Sequence, residues 1–169
     1  MWSPYEVPEV DLEFIVHKLN VDPSFLPKKQ KPRRLAKEHV EAVRLEVRRL
    51  REAGAIREAL FREWLANTMV VKKKNGKWRV CIDFTNLNRA CPKELFPMPK
   101  IDQLVNATYG HLRMSFLDAF QGYHQITLAP EDQEKTAFIS LDANYHYTVM
   151  PFWLKNVVAT YQRMMTRLF

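Results

Sequence analysis

Two groups of residues in this chain have the types and spacing to do chemistry on a polyanion. The first is Asp118, at the end of the apolar run Phe116-Leu117 and followed by Gly122 and Tyr123. Arg113 to Asp118 reads as a short buried strand, and a carboxylate at the end of such a strand is unfavourable by several kcal/mol unless a cation meets it. With a tight turn through Gly122, the carboxylate and the Tyr123 ring would lie side by side, which suits a metal ion and a nucleotide; an aspartate that merely caps the next turn is the other reading. The second group is Lys72, Lys73, Lys74, Lys77 and Arg79, all within eight residues. Edge lysines commonly block sheet-to-sheet aggregation, but five cations exceed that need, and a triphosphate or a nucleic-acid backbone is the natural counterion.

The elements that must position these groups can be read locally. Met69-Val70-Val71 leads into the lysines, Asn75-Gly76 is expected to supply the positive φ angles of a tight turn, and Lys77 to Phe84 returns, so Thr68 to Phe84 is a β-hairpin. On the return strand Trp78, Val80, Ile82 and Phe84 share one face, and Arg79, Cys81 and Asp83 the other. Upstream, Val40, Val43, Val47 and Leu50 recur at alternating spacings of three and four. They predict an amphipathic helix from Lys37 to Ala53, closed by Gly54, with Arg44, Arg48, Arg49 and Arg51 on its outer face. That face is either a phosphate contact or a solvated surface of Glu/Arg pairs.

Downstream, a short helix over about Lys100 to Ala107 is expected to bury Ile101, Leu104 and Val105. Pro130 opens a helical turn, Thr136 to Ser140 and Tyr145 to Met150 read as strands, and Asn156 is placed to cap a last helix. Val158, Tyr161, Met165 and Leu168 would line the core face of that helix. Pro4, Pro8, Pro23, Pro27 and Pro32 forbid a long helix before residue 34, leaving an extended lead-in that wraps onto the rest or stays mobile.

Composition agrees with a folded domain. The 169 residues are 47% hydrophobic and 12% aromatic, enough for one sizeable core. The net charge of +7 is concentrated: Pro27 to Gly54 holds ten Lys/Arg against four Asp/Glu, and Lys72 to Lys93 seven against one, so the remainder is acidic. Cys81 and Cys91 form no Cys-x-x-Cys or Cys/His cluster, which argues against a zinc site or a disulfide framework and fits a reducing compartment. No apolar run approaches a membrane span, and an N-terminus with Glu6, Glu9, Asp11 and Glu13 has the wrong charge for a signal peptide. The expected location is therefore cytoplasmic, with no targeting signal and no membrane partner.

Seven strings in order now carry a resemblance. They are Trp64-Leu65-Ala66-Asn67, Val71 to Arg79, Asp83-Phe84-Thr85-Asn86-Leu87-Asn88, Phe96-Pro97-Met98-Pro99, Ser115 to Phe120 with Gly122-Tyr123-His124-Gln125, Asp132 to Phe138, and Met150-Pro151-Phe152 with Leu154-Lys155-Asn156. Together the chain resembles, from about His17 to Phe169, the reverse transcriptase of gypsy-type LTR retrotransposons in the plant style. The resemblance implies a mixed α+β fold: a fingers subdomain with a β-hairpin joined to an incomplete palm of a right-hand polymerase. The expected division is a lead-in over 1–36, fingers over 37–112 and partial palm over 113–169.

The resemblance also implies roles. Asp118 matches the first catalytic aspartate, which holds two magnesium ions together with a downstream aspartate pair. Tyr123 matches the residue beneath the incoming sugar, and Lys73 and Arg79 match those that grip the triphosphate. Phe152 and Trp153 fall at the nucleotide, while Lys72, Lys74 and Lys77 belong with nucleic acid. The implied partners are an RNA or DNA template-primer and a deoxynucleoside triphosphate, and the implied setting of a complete element is a virus-like particle. Two departures stand out. The Tyr-x-Asp-Asp box of the family is expected beyond Phe169, so the chain alone is expected to be inactive, the alternative being a non-catalytic basic remnant that binds nucleic acid. Trp153 replaces a family glycine, and Val157 and Val158 replace small residues; the indole is expected to fill the nucleotide pocket and, if the glycine has positive φ, to strain the backbone.

Overall fold

The computed structural model describes residues 10–11, 13–60, 63–96, 100–115 and 121–168, except for the side chain of residue 104. In chain order its elements are β1 (Val16–His17), α1 (Lys37–Glu52), β2 (Ile56–Glu58), β3 (Ala66–Lys72), β4 (Trp78–Ile82), α2 (Thr85–Ala90), α3 (Ile101–Thr108), β5 (Thr127–Leu128), α4 (Pro130–Gln133), β6 (Phe138–Ile139), β7 (Asn144–Tyr147) and α5 (Val157–Leu168). A five-stranded mixed sheet runs in the order β2-β7-β6-β3-β4, with β3 and β6 parallel and the other pairs antiparallel. A second, two-stranded parallel sheet pairs β1 with β5. The fold is the α+β class expected from the sequence. Among the described residues no helix is long and apolar enough to cross a membrane.

Helix α1 forms where its apolar spacing puts it. Val43, Val47 and Leu50 are buried, and the helix ends as the glycine signal requires: Gly54 has φ +68°, its N–H reaches the Arg51 carbonyl at 2.9 Å, and Ala55 N–H reaches Leu50 at 2.9 Å. These two bonds satisfy carbonyls that would otherwise be orphaned at the helix end. Below α1 the core is continuous, running from Phe138, Tyr145 and Tyr147 on the sheet to Ile126, Leu128, Met150 and Met164.

In the described part of the lead-in no helix forms, and that part wraps onto the rest. Lys29 bridges to Leu65 in parallel, Gln30 N–H donates to the Leu65 carbonyl at 2.8 Å, and Leu65 N–H donates to Lys28 at 3.1 Å. Buried Asn67 completes the join: its Nδ2 donates to Gln30 Oε1 (3.0 Å) and the Lys31 carbonyl (2.9 Å), and its Oδ1 accepts from Arg33 N–H (3.1 Å).

Several expectations need correction. Helix α3 forms, but Ile101 and Val105 are 77% and 59% exposed, because an apolar face that the sequence supplies buries nothing unless a neighbour covers it. Arg113 to Ser115 is exposed and carries no strand, and the remainder of the expected strand, with Asp118, lies outside the described residues. In α5 the buried residues are Val157, Thr160 and Met164, while Val158 and Leu168 are exposed and Tyr161 and Met165 are half-buried. The strand expected over Thr136 to Ser140 is only Phe138–Ile139, since residues 134–136 form a 3-10 turn.

Candidate functional site

The hairpin of β3 and β4 pairs Thr68 with Ile82 through to Lys72 with Trp78. At its tip Lys73 N–H donates to Lys77 O (2.8 Å) and Gly76 N–H to Lys73 O (2.9 Å). Only Gly76 of the expected Asn75-Gly76 pair has positive φ, at +79°. Asn75 acts through its side chain instead, accepting Lys77 N–H on Oδ1 at 3.2 Å, so a longer turn with one left-handed residue replaces the two-residue turn. Lys72, Lys73, Lys74, Lys77 and Arg79 are all exposed, and among the described residues none pairs with a carboxylate. The Lys72 ammonium lies 5.6 Å from the centre of the Trp78 ring, which in turn packs edge-on against His39 of α1 at 4.6 Å.

Between α1 and β4 opens a cleft of about 1040 Å³, and it gathers most of the residues singled out from the sequence. Lys73, Lys77 and Arg79 line its hairpin side, and Phe152 and Trp153 enter from the turn after β7. Tyr123 stands behind this wall, its ring 4.8 Å from Phe152 and 5.1 Å from Tyr161. The helical wall is acidic: Glu38, Glu41 and Glu46 face the cleft, with Glu46 bound to Arg49 at 2.6 Å. His124, also on the lining, is pushed down to about 4 by burial and then by the Arg49 cation, so it is neutral at neutral pH. The cleft thus has one cationic wall and one aromatic corner, an arrangement able to seat a phosphate chain on the first and a ring system on the second.

The turn that delivers Phe152 and Trp153 is held from α2, by residues that carried no signal of this role in the sequence. Asn88 Nδ2 donates to the Trp153 carbonyl at 2.7 Å, and Asn88 Oδ1 accepts Lys155 N–H at 2.8 Å. Lys155 Nζ reaches back to the carbonyls of Asn88 (3.1 Å) and Cys91 (2.5 Å) at the end of α2, where a cation complements the unpaired helix carbonyls. Asn156 does not cap α5 with its side chain. Its Oδ1 accepts Glu94 N–H and its Nδ2 donates to Pro92 O, while its backbone carbonyl receives Thr160 N–H. Sequence separations above 60 residues explain why no local pattern announced these contacts.

Trp153 itself sits at φ +75°, in the left-handed region that a bulky residue rarely enters. The strain expected from the missing glycine is therefore present. The indole, however, is 62% exposed and lines the cleft rather than filling a closed pocket. Cys81 lies on the same lining; burial raises its thiol, against the Arg79 cation and the Trp153 indole, and Cys91 is pushed up to about 11 by burial, so neither is a reactive thiolate.

Asp118 is outside the described residues. Among the described residues, no three His, Cys, Asp or Glu side chains converge so as to hold a metal ion. Two of the aspartates are engaged elsewhere. Asp83 is held below the usual carboxylate range first by the Thr85 hydroxyl and more weakly by Arg33, and buried Asp132 accepts Leu19 N–H at 2.8 Å and Lys135 Nζ at 2.6 Å.

A cationic hairpin thus stands across a cleft from an aromatic turn, on a mixed sheet backed by helices. The chain belongs to the reverse transcriptase (RNA-dependent DNA polymerase) family, whose model matches residues 71–169. It is 34% identical over 139 residues to the retrovirus-related Pol polyprotein from transposon 297 of Drosophila melanogaster, an alignment covering 79% of this chain and 13% of that protein. It is 36% identical over 125 residues to the Pol polyprotein from transposon gypsy of the same fly (70% and 12%). An RNA-directed DNA polymerase homolog of Oenothera berteroana is 32% identical over 87 residues (52% and 61%). Fly and plant relatives alike assign the family, not a plant branch of it. Prototype foamy virus protease-reverse transcriptase has the same fold, with a TM-score of 0.73 at 20% identity over 90% of this chain and 20% of that one. The foamy viral enzyme in complex with an RNA/DNA hybrid gives 0.73 at 16% identity (97% and 23%).

Proposed function

We propose that this chain is the nucleotide- and template-handling part of an RNA-directed DNA polymerase from a retrotransposon polyprotein, with a lead-in over 1–36, fingers over 37–112 and the first part of the palm over 113–169. One observation carries the proposal: Lys73 and Arg79 from one end of the fold, and Phe152 and Trp153 from the other, line a single cleft. In this reading Lys73 and Arg79 neutralise the triphosphate of an incoming deoxynucleotide, with charge-assisted hydrogen bonds that strengthen as negative charge moves to the leaving group. Phe152 carries the base or sugar edge, and Tyr123, packed behind it, fixes its angle. Lys72, Lys74 and Lys77 on the exposed hairpin hold the phosphates of the template-primer, and the setting is the cytoplasm or a virus-like particle.

The family's phosphoryl transfer uses divalent metal, magnesium in this proposal, which supplies charge neutralisation at the attacking and leaving oxygens. Asp118 is the one residue here proposed to bind it. A single carboxylate does not make a two-metal site, and the described residues supply no further set of ligands, so no step is assigned through the metal. The test is primer extension on an RNA template by the chain joined to a palm and thumb from a relative, carrying Trp153→Gly with Val157 and Val158 changed to small residues. Extension that Asp118→Asn abolishes supports the proposal; extension that survives Asp118→Asn overturns the assignment of Asp118.

A further inference from the structure

Helix α1 divides its charges unevenly between two sides of the buried stripe formed by Val43, Val47 and Leu50. Glu38, Glu41 and Glu46 line the cleft, together with Arg49, which is paired with Glu46. Arg44, Arg48 and Arg51 line a different groove, of about 430 Å³, whose other wall is the β6–β7 connection with Ser140 and Asp142 and the Tyr145 ring. The three arginines follow each other at spacings of four and three, which stacks them on one face. Among the described residues, neither Arg44 nor Arg48 forms an ion pair or a side-chain hydrogen bond, and the Arg51 guanidinium lies 5.9 Å from the centre of the Tyr145 ring. Asp142 is the acid of this groove, and among the described residues it takes part in no ion pair. Three guanidinium groups thus face one carboxylate, and like charges four residues apart on a helix repel one another unless an anion lies between them.

We infer that this groove holds the sugar-phosphate backbone of single-stranded nucleic acid, as a second contact on the side of α1 turned away from the nucleotide cleft. At a rise of about 1.5 Å per residue the arginines span roughly 10 Å along the helix, long enough to reach more than one phosphate of a single strand. Guanidinium forks suit phosphate oxygens, and the Ser140 hydroxyl adds a donor on the facing wall. The groove contains no base-reading element, so the contact is independent of sequence. The inference takes from the proposed function only the class of partner; the groove's own charges carry the rest.

The experiment is a fluorescence anisotropy titration of the full chain with a labelled oligouridylate of about 20 nucleotides, repeated across salt concentrations. Arg44→Gln with Arg48→Gln should make the plot of log affinity against log salt shallower by about 1.4, at about 0.7 per phosphate contact for a single strand, and lower the affinity at least tenfold at about 50 mM salt. Arg44→Lys with Arg48→Lys should keep most of the slope. Asp142→Asn should tighten binding, a gain that a misfolded variant cannot produce. A separate variant with Lys72, Lys73, Lys74 and Lys77 changed to Ala reports on the hairpin alone, so loss of the hairpin contribution and loss of the groove contribution are read independently. An unchanged slope in the arginine double variant, or no tightening with Asp142→Asn, overturns the inference. So does arginine-dependent binding to phosphatidylserine vesicles in place of the oligonucleotide.

Discussion

Replacing Trp153 by glycine should open the cleft to nucleotide while leaving the stability of the fold nearly unchanged. The left-handed backbone at Trp153 costs about 1–2 kcal/mol, and glycine removes that strain. Against this, glycine adds about 0.5–1 kcal/mol of chain entropy to be lost on folding. The indole is 62% exposed, so a little over a third of its surface is covered; at roughly 25 cal/mol per Å² on a side chain of up to about 250 Å², that is about 2 kcal/mol, and an upper bound. The sum lies within about 2 kcal/mol of zero, a shift in Tm of only a few degrees for a chain of this size. The effect on binding has one sign. A triphosphate drawn to Lys73 and Arg79 must first displace the indole from its covered position, so losing the indole should tighten binding by up to those same 2 kcal/mol, roughly tenfold to thirtyfold. Isothermal titration with a deoxynucleoside triphosphate measures the gain, and thermal melting measures the stability. Trp153→Ala separates the two effects: it opens the cleft equally but keeps a side chain at positive φ, and should be about 1 kcal/mol less stable than Trp153→Gly. An alanine variant as stable as the glycine one would refute the backbone strain, and an unchanged nucleotide affinity in both would refute the obstruction.

Asn88→Ala removes both side-chain bonds that hold the turn at Trp153 and Lys155, and should lower stability in urea by about 2 kcal/mol at about 1 kcal/mol per bond. Asn67→Ala removes three side-chain bonds to the 30–33 segment and should cost about 3 kcal/mol, seen as a Tm lower by roughly 10 °C. His17 is fully buried, with Nδ1 2.8 Å from Thr160 Oγ1, and burial pushes it down to about 4, with Asp132 opposing and Arg163 adding weakly. The unfolded chain therefore takes up a proton below about pH 6.5 that the folded chain refuses, and stability should fall by about 2 kcal/mol between pH 7 and pH 5 from this group alone. Urea unfolding at the two pH values checks this, and a His17→Gln variant with the same pH loss would show that His17 is not its source.

Much of the fold was legible because its signals are local. The alternation around Asn75-Gly76 yields the hairpin, and the three-four spacing closed by Gly54 yields α1 and its cap. The order of the sheet was not legible, because β6 and β7 are short and pair with partners far away in sequence. The face of α5 was misread by one residue for a clear reason: Val157 and Val158, and again Met164 and Met165, are adjacent, so the helical period has two equivalent phases and packing decides between them. Within the site, side-chain chemistry pointed to the cationic hairpin with Lys73 and Arg79, whereas Phe152 and Trp153 were joined to it only through the family resemblance. The Asn88 and Lys155 contacts that fix the turn could not be inferred, since they join a side chain of one segment to backbone groups of another, and the proximity of the two is set by the tertiary fold.

The join between the lead-in and the hairpin has a consequence for which substitutions the chain can absorb. Asn67 reads residues 31 and 33 only through a carbonyl and an N–H, whereas Gln30 is gripped by its amide, which accepts from Asn67 and donates to the Asp83 carbonyl at 3.0 Å. A saturation screen of the strap should accordingly find position 31 open to any residue, position 33 open to nearly any residue except proline, whose missing N–H would break the bond, and position 30 closed even to glutamate. Pro32, between the two backbone contacts, offers no N–H and none is asked of it. The strap is recognised mainly by its main chain and proofread at the Gln30 amide, with only an exposed ion pair from Arg33 to Asp83 beside it.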